Sequence, residues 1–281
     1  MTWLVIGSRG QLGSDMMALL GDRAVGLDTP DIDITDVDSV SDAVYDIAPS
    51  VVVNCAAYTA VDAAETDEET AAMVNGTGPA NIAEAASQAR LIHVSTDYVF
   101  DGTARSPYTE AATPNPASVY GRTKLEGERA VLRHTDAYVV RTAWLYGVHG
   151  KNFVRTMIDL EESRETLDVV DDQVGQPTWS RDLAAGTIAL GQSNADPGVY
   201  HVTNSGQTSW FGLARKVFEL IGADPSRVRP ARTSDVPRPA PRPAYSVLAG
   251  ERWAAAGLPA MRAWEAALAE ALPEIVAARK G

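Results

Sequence analysis

Short apolar runs alternate with helix-length segments from the first residues of the chain, and this rhythm constrains the fold more than any other feature of the sequence. Strands are predicted at Trp3–Ile6, Ala24–Leu27, Val51–Cys55, Leu91–Val94 and Ala137–Arg141, with helices at Gln11–Leu20, Val37–Ile47, Glu68–Ala89 and Val119–His134 between them. Strands that alternate with helices imply a parallel sheet, and continuous apolar strands fit a sheet covered on both faces. Past Gly147 the rhythm weakens: helices are predicted at Asn152–Glu162, Arg181–Gly191 and Ser209–Ile221, strands at Leu167–Val170 and Gly198–Val202, and a helical pattern again from Ala249 onward. With 281 residues, the chain suits one large α/β unit with a smaller lobe. Residues 1–147 with about 181–204 make the larger unit, a doubly wound parallel sheet. Residues from about 148–180, with 205–281, make the lobe that holds a substrate. The segment Pro225–Pro243 is too rich in proline for regular structure and reads as a loop.

The first strand runs straight into Gly7-Ser8-Arg9-Gly10-Gln11-Leu12-Gly13, where a helix opens. Glycines in that position let the backbone turn tightly and bring its N–H groups up to a pyrophosphate, while the helix N-terminus favours negative charge. The second strand ends at Asp28, about 20 residues on, where a carboxylate can accept hydrogen bonds from an adenosine ribose. Together these give a Rossmann-type dinucleotide site. Asp28 disfavours a 2′-phosphate while Arg9 can neutralise one, so NADH and NADPH both stay open.

Tyr120 and Lys124 stand four residues apart in a predicted helix with Ser118 at its N-cap, so both side chains share one face. A ketone reductase needs an acid to protonate oxygen as hydride reaches carbon, and an ammonium beside a phenol lowers the phenol's pKa and can hold a ribose. Ser95-Thr96-Asp97 follows the fourth strand, at the carboxyl edge where open α/β sheets bind ligands. A Thr96 hydroxyl there can hydrogen-bond a substrate carbonyl, with Asn54 and Asn75 in support.

Composition excludes several classes. A net charge of -13 argues against a nucleic-acid partner. No apolar stretch is long enough to span a bilayer, and Met1 to Ile6 lead into a strand with no signal-like region, so a cytoplasmic protein is expected. The single cysteine, Cys55, rules out an intramolecular disulfide and a cysteine zinc site, and its apolar flank points to packing.

Several blocks in fixed order carry a resemblance over essentially the whole chain: Asn54-Cys55-Ala56-Ala57-Tyr58-Thr59-Ala60-Val61-Asp62, Ser95 to Gly102, the Tyr120/Lys124 pair, Arg141-Thr142-Ala143-Trp144, Asn152-Phe153, Asp172-Gln173 with Pro177-Thr178, and Arg242-Pro243. In these the chain resembles the dTDP-4-dehydrorhamnose reductase family of extended short-chain dehydrogenases. The resemblance implies reduction of the 4-keto group of a dTDP-4-dehydro-6-deoxy-L-hexose, giving dTDP-L-rhamnose, with NADPH or NADH as cofactor. It places Gly10, Gln11, Leu12, Asp28, Asp33, Ile34 and Cys55, Ala56 and Ala57 at the cofactor, beside the glycine-loop residues Gly7, Arg9 and Gly13. Tyr120 matches the proton donor, Lys124 its partner and Thr96 the hydroxyl of the triad. Asp97, Trp144 and Asn152 match the sugar-nucleotide side, and Arg242, at the end of a basic stretch, is a diphosphate ligand by charge on a flap formed by Pro225–Pro243. A magnesium-bridged dimer built on glutamates is known in the family. No such cluster is identifiable in this sequence, so no metal is assigned and a homodimer stays open. Two other readings accompany the first: a related deoxysugar 4-ketoreductase of different product stereochemistry, and an NADP-binding regulatory subunit without catalysis.

Overall fold

The computed structural model describes residues 1–279. Six parallel strands form the main sheet: β1 (Trp3–Ile6), β2 (Ala24–Leu27), β3 (Val51–Asn54), β4 (Arg90–Thr96), β5 (Ala137–Thr142) and β6 (Gly198–His201), in the order β6-β5-β4-β3-β1-β2. All four residues of β1 and of β3 are buried, as continuous apolar strands in a two-sided sheet must be. One face packs on α1 (Gln11–Leu20) and the later helix Ser180–Gln192, through Leu12, Met16, Leu183 and Ile188. The other packs on α2 (Val37–Ile47), α3 (Gly78–Ala85) and α4 (Val119–Val131), through Val40, Ile82 and Val131. The chain leaves β1 for β2 on one side and reaches β3 on the other, so a crevice opens at the carboxyl ends of β1 and β3.

A second core gathers Val154, Met157, Leu213, Phe218 and Trp264 from α5 (Phe153–Ser163), α7 (Trp210–Leu220) and α8 (Trp264–Arg279), with Tyr146 and with Trp179, which immediately precedes α6 (Ser180–Gln192). Trp253 departs from this grouping and fills the core beside α1 instead.

Three sequence expectations are corrected. Glu68–Ala89 is not one helix: it runs as Glu68–Ala72, a π-helical turn Met73–Thr77, and α3. The wider turn carries Asn75 fully inside, where its amide holds both backbone polar groups of Tyr58. The proline-rich segment is not irregular throughout, because Val228–Ala231 pairs in parallel with Leu167–Val170. Pro230 is tolerated on a two-stranded ladder, where one side of each strand is free. The last helical stretch is two helices, Glu251–Ala255 and α8, separated by the turn at Gly257, whose φ is 66°. Among the described residues no helix is long and apolar enough to cross a membrane.

Candidate active site

The crevice is a cleft of about 810 Å³ walled by the ends of β1, β3, β4 and β5 and by the second core's Trp144 and Trp210. At its floor Gly7 adopts φ +78, and a Cβ there would lie 2.7 Å from the Ala56 nitrogen. Only glycine fits, which is what lets β1 and the Cys55–Ala57 turn approach each other. Gly10 opens α1 with no side-chain cap, leaving the helix N-terminus facing the cleft. Gly13 does not line the cleft; a Cβ on it would sit 2.0 Å from the Gly7 carbonyl oxygen, so it serves the packing of α1 on the turn.

Asp28 lines the cleft and accepts hydrogen bonds from the backbone nitrogens of Arg9 at 2.8 Å and Thr29 at 2.9 Å. Asp33 also lines it, with its carboxyl held below the usual range by the Thr35 hydroxyl and then the Thr35 N–H. Ile34 seals that end against Gly78. Leu12, Cys55, Ala56 and Ala57 complete the wall, and burial pushes the Cys55 thiol up to about 12, leaving it an unreactive packing group.

Deeper in, Ser118 caps α4 by accepting from the Gly121 nitrogen, which fixes where Tyr120 and Lys124 emerge. Tyr120 packs edge-on against Tyr98 with ring centroids 5.5 Å apart. Burial raises its phenol to about 12, against the Thr96 hydroxyl that bonds it. Lys124 does not supply the expected lowering. Its Nζ donates to the Val94 carbonyl at 2.7 Å and lies 3.4 Å from His93 Nε2, and burial brings it down to about 8. Asn54 accepts from the Ala56 nitrogen, so its Nδ2 is the atom 3.1 Å from His93 Nδ1, and the imidazole proton belongs on Nε2. Thr96 Oγ1 donates to Asp97 Oδ1 at 3.0 Å. The other Asp97 oxygen is buried without a protein partner among the described residues, and burial raises that carboxyl to about 6.

Trp144 sits at φ 47, a left-handed backbone, and stacks on Trp210 with centroids 3.5 Å apart and planes 7° from parallel. A Cβ on Gly175 would meet the Trp144 ring at 2.4 Å, so that glycine leaves room for the stack.

Besides Gly13, three predicted residues do not reach the cleft. The Arg9 guanidinium is paired with Asp31 at the surface and does not line the cleft. Asn152 caps α5 through the Arg155 nitrogen at 3.1 Å and spends its amide on the Gly147 carbonyl and on Gln11 Oε1, so it acts on the cleft only through Gln11. Arg242 binds Asp62 at 2.8 Å and its near neighbour's carbonyl at Ala240, on the far side of Tyr98. The segment that carries it is pinned elsewhere too, at Asp172 through Thr233 and at Glu161 through Arg227, and is no free flap. Conversely, the cleft is lined by Thr35, Tyr98, Thr142, Lys151 and Trp210, none singled out from the sequence as contacts. The basic character of Lys151, so close to Asn152, was the one available signal.

The family model described as RmlD substrate binding domain matches residues 1–277. A dTDP-4-dehydrorhamnose reductase of Streptomyces griseus is 50% identical over 284 residues, covering 97% of this chain and 93% of that protein. A dTDP-4-keto-6-deoxy-D-glucose reductase of Streptomyces niveus is 49% identical over 278 residues, covering 96% of each. Among solved structures, the Bacillus anthracis dTDP-4-dehydrorhamnose reductase in complex with NADP is 36% identical with a TM-score of 0.93, covering 98% of this chain and all of that one. On these matches, over nearly the full length, the chain belongs to the dTDP-4-dehydrorhamnose reductase family.

Proposed function

We propose that this protein is an NAD(P)H-dependent reductase of the 4-keto group of a dTDP-4-dehydro-6-deoxy-L-hexose, dTDP-4-dehydrorhamnose giving dTDP-L-rhamnose. The observation that carries the reading is the meeting of Thr96, Tyr120 and Lys124 in the same cleft as the glycine turn and Asp28. The residues fit a dinucleotide: the uncapped N-terminus of α1 at Gly10 opens on the cleft, and Asp28 stands on the same wall. Gly7, Gly10, Gln11, Leu12, Asp28, Asp33, Ile34 and Cys55 to Ala57 hold the cofactor, and when bound it supplies the hydride. Asp97 and the Trp144 face hold the sugar nucleotide. On this reading residues 1–147 with about 181–204 serve the cofactor and most of the remainder serves the sugar nucleotide, in a cytoplasmic enzyme.

The chain's own part in the reaction is proton handling. Tyr120 is neutral at working pH, so it arrives protonated and gives its proton to the oxygen that gains negative charge at C4. Thr96 steadies the phenolate left behind when its hydroxyl hydrogen is not taken by Asp97. Lys124, once it carries its proton, adds a cation to the same centre.

Tyr120→Phe tests this. Turnover of the dTDP-4-keto sugar falls by about 10²–10⁴-fold while the Kd for NADPH stays the same, because only the proton is lost. Turnover at the wild-type rate would remove Tyr120 from the chemistry. A related 4-ketoreductase of other stereochemistry is favoured by one finding, the equal similarity to the Streptomyces niveus protein, and NMR of the product decides between the two.

A further inference from the structure

We propose that Lys151 is the cation that binds the dinucleotide's diphosphate, held over the N-terminus of α1 by the turn from Gly147 to Asn152. The inference rests on the reading of the cleft as a dinucleotide site and adds to it a residue that lies outside the glycine turn.

The charge on the cleft wall poses the problem. Three carboxyl groups line it, on Asp28, Asp33 and Asp97, against two cations, Lys124 and Lys151. A diphosphate brought to such a wall needs positive charge to offset both its own and the wall's. Arg9, the basic residue inside the glycine turn, is bound to Asp31 and does not line the cleft. Lys124 is buried at the catalytic end, with its nitrogen on the Val94 carbonyl. Lys151 is exposed and has no hydrogen bond or ion pair among the described residues, so its charge is free for a ligand.

Position selects which diphosphate. Asn152 donates to Gln11 Oε1 at 3.2 Å and to the Gly147 carbonyl at 2.9 Å, so the turn is closed on itself and tied to the first residue of α1. Gly150, at φ +68, lies with its virtual Cβ 3.7 Å from the Gln11 Cβ. Lys151 therefore projects from a turn fastened beside an uncapped helix N-terminus, and the two add their attraction for one anion. The tether through Asn152 also limits the freedom that Lys151 loses when a ligand arrives.

The test is titration of wild type, Lys151→Ala and Lys151→Arg with adenosine, ADP, NADPH and dTDP, followed by calorimetry. Lys151→Ala weakens ADP and NADPH about tenfold, as the loss of a hydrogen bond to a charged group at an exposed site allows. Adenosine and dTDP are unchanged, Lys151→Arg restores most of the loss, and the difference between wild type and Lys151→Ala shrinks as salt is raised. Equal ADP affinity in wild type and Lys151→Ala overturns the proposal while leaving the cofactor site intact. Loss confined to dTDP overturns it by moving the lysine to the sugar-nucleotide side, and equal loss of adenosine overturns it by showing a collapsed turn. Failure of the wild type to bind NADPH at all would instead overturn the reading of the cleft.

Discussion

In the proposed reaction Asp97 acts through a single proton. When ionised, it takes the only hydrogen of the Thr96 hydroxyl, at 3.0 Å, and that hydroxyl then has nothing to donate to the Tyr120 oxygen. When protonated, Asp97 donates to Thr96 and frees the hydroxyl. Its carboxyl is raised to about 6 by burial, so the favourable form is lost as pH rises through about 6, and kcat/KM carries a falling limb there. Asp97→Asn keeps a donor toward Thr96 at every pH and removes that limb; a limb that persists in the variant, in pH profiles of kcat/KM, would assign it to another group. Residues of this kind were legible as types in fixed spacing: Tyr120 and Lys124 through the helical interval, Thr96 through the end of a strand. Partners were not. Arg242 looked free because Asp62, which binds it, lies 180 residues away in the chain. The ammonium of Lys124 was expected to lower the phenol, but the Val94 carbonyl and His93 that hold its nitrogen come from a neighbouring strand whose register only the folded sheet sets.

At the scale of elements, the glycine turn is a contact between backbones, and its tolerance is correspondingly small. Gly13→Ala would put a methyl 2.0 Å from the Gly7 oxygen and 2.7 Å from the Ser8 Cα, where no flexible side chain can give way. The α1 helix must lift off the turn, at a cost of about 1–3 kcal/mol in overpacking. Urea denaturation should show that loss as a lower midpoint, together with weaker NADPH binding; an unchanged midpoint would mean that α1 is not seated on the turn. Strands and most helices could be read from period and length, since β1 is apolar at every position, β3 at all but its last, and α2 has its Asp36 cap, which accepts from the Asp38 nitrogen. The π-helical turn at Met73–Thr77 could not, because its cause is tertiary: Asn75 must point inward to hold Tyr58, and Gly78 must fit under Ile34.

In the whole molecule the groups assigned to catalysis come from β4 and from α4, which packs on the main sheet, whereas the opposite wall of the cleft comes from residues that return late in the chain, Trp210 foremost. How the two walls meet was not legible in the order of the elements. Trp253 packs against Gly186 of α6, and Val228–Ala231 builds a ladder inside the proline-rich segment, because both depend on which surface is left uncovered once the sheet has formed. The pairing of Trp144 with Trp210 has an optical consequence. Two indoles nearly parallel at 3.5 Å exchange excitation, so the folded protein carries an exciton-coupled circular dichroism band that neither ring produces alone. Trp210→Phe should abolish the couplet, and a spectrum reduced only by one ordinary tryptophan would show the rings unstacked in solution. Because one ring stands beside the end of β5 and the other opens α7, that band is a label the protein already carries for the joining of its two walls.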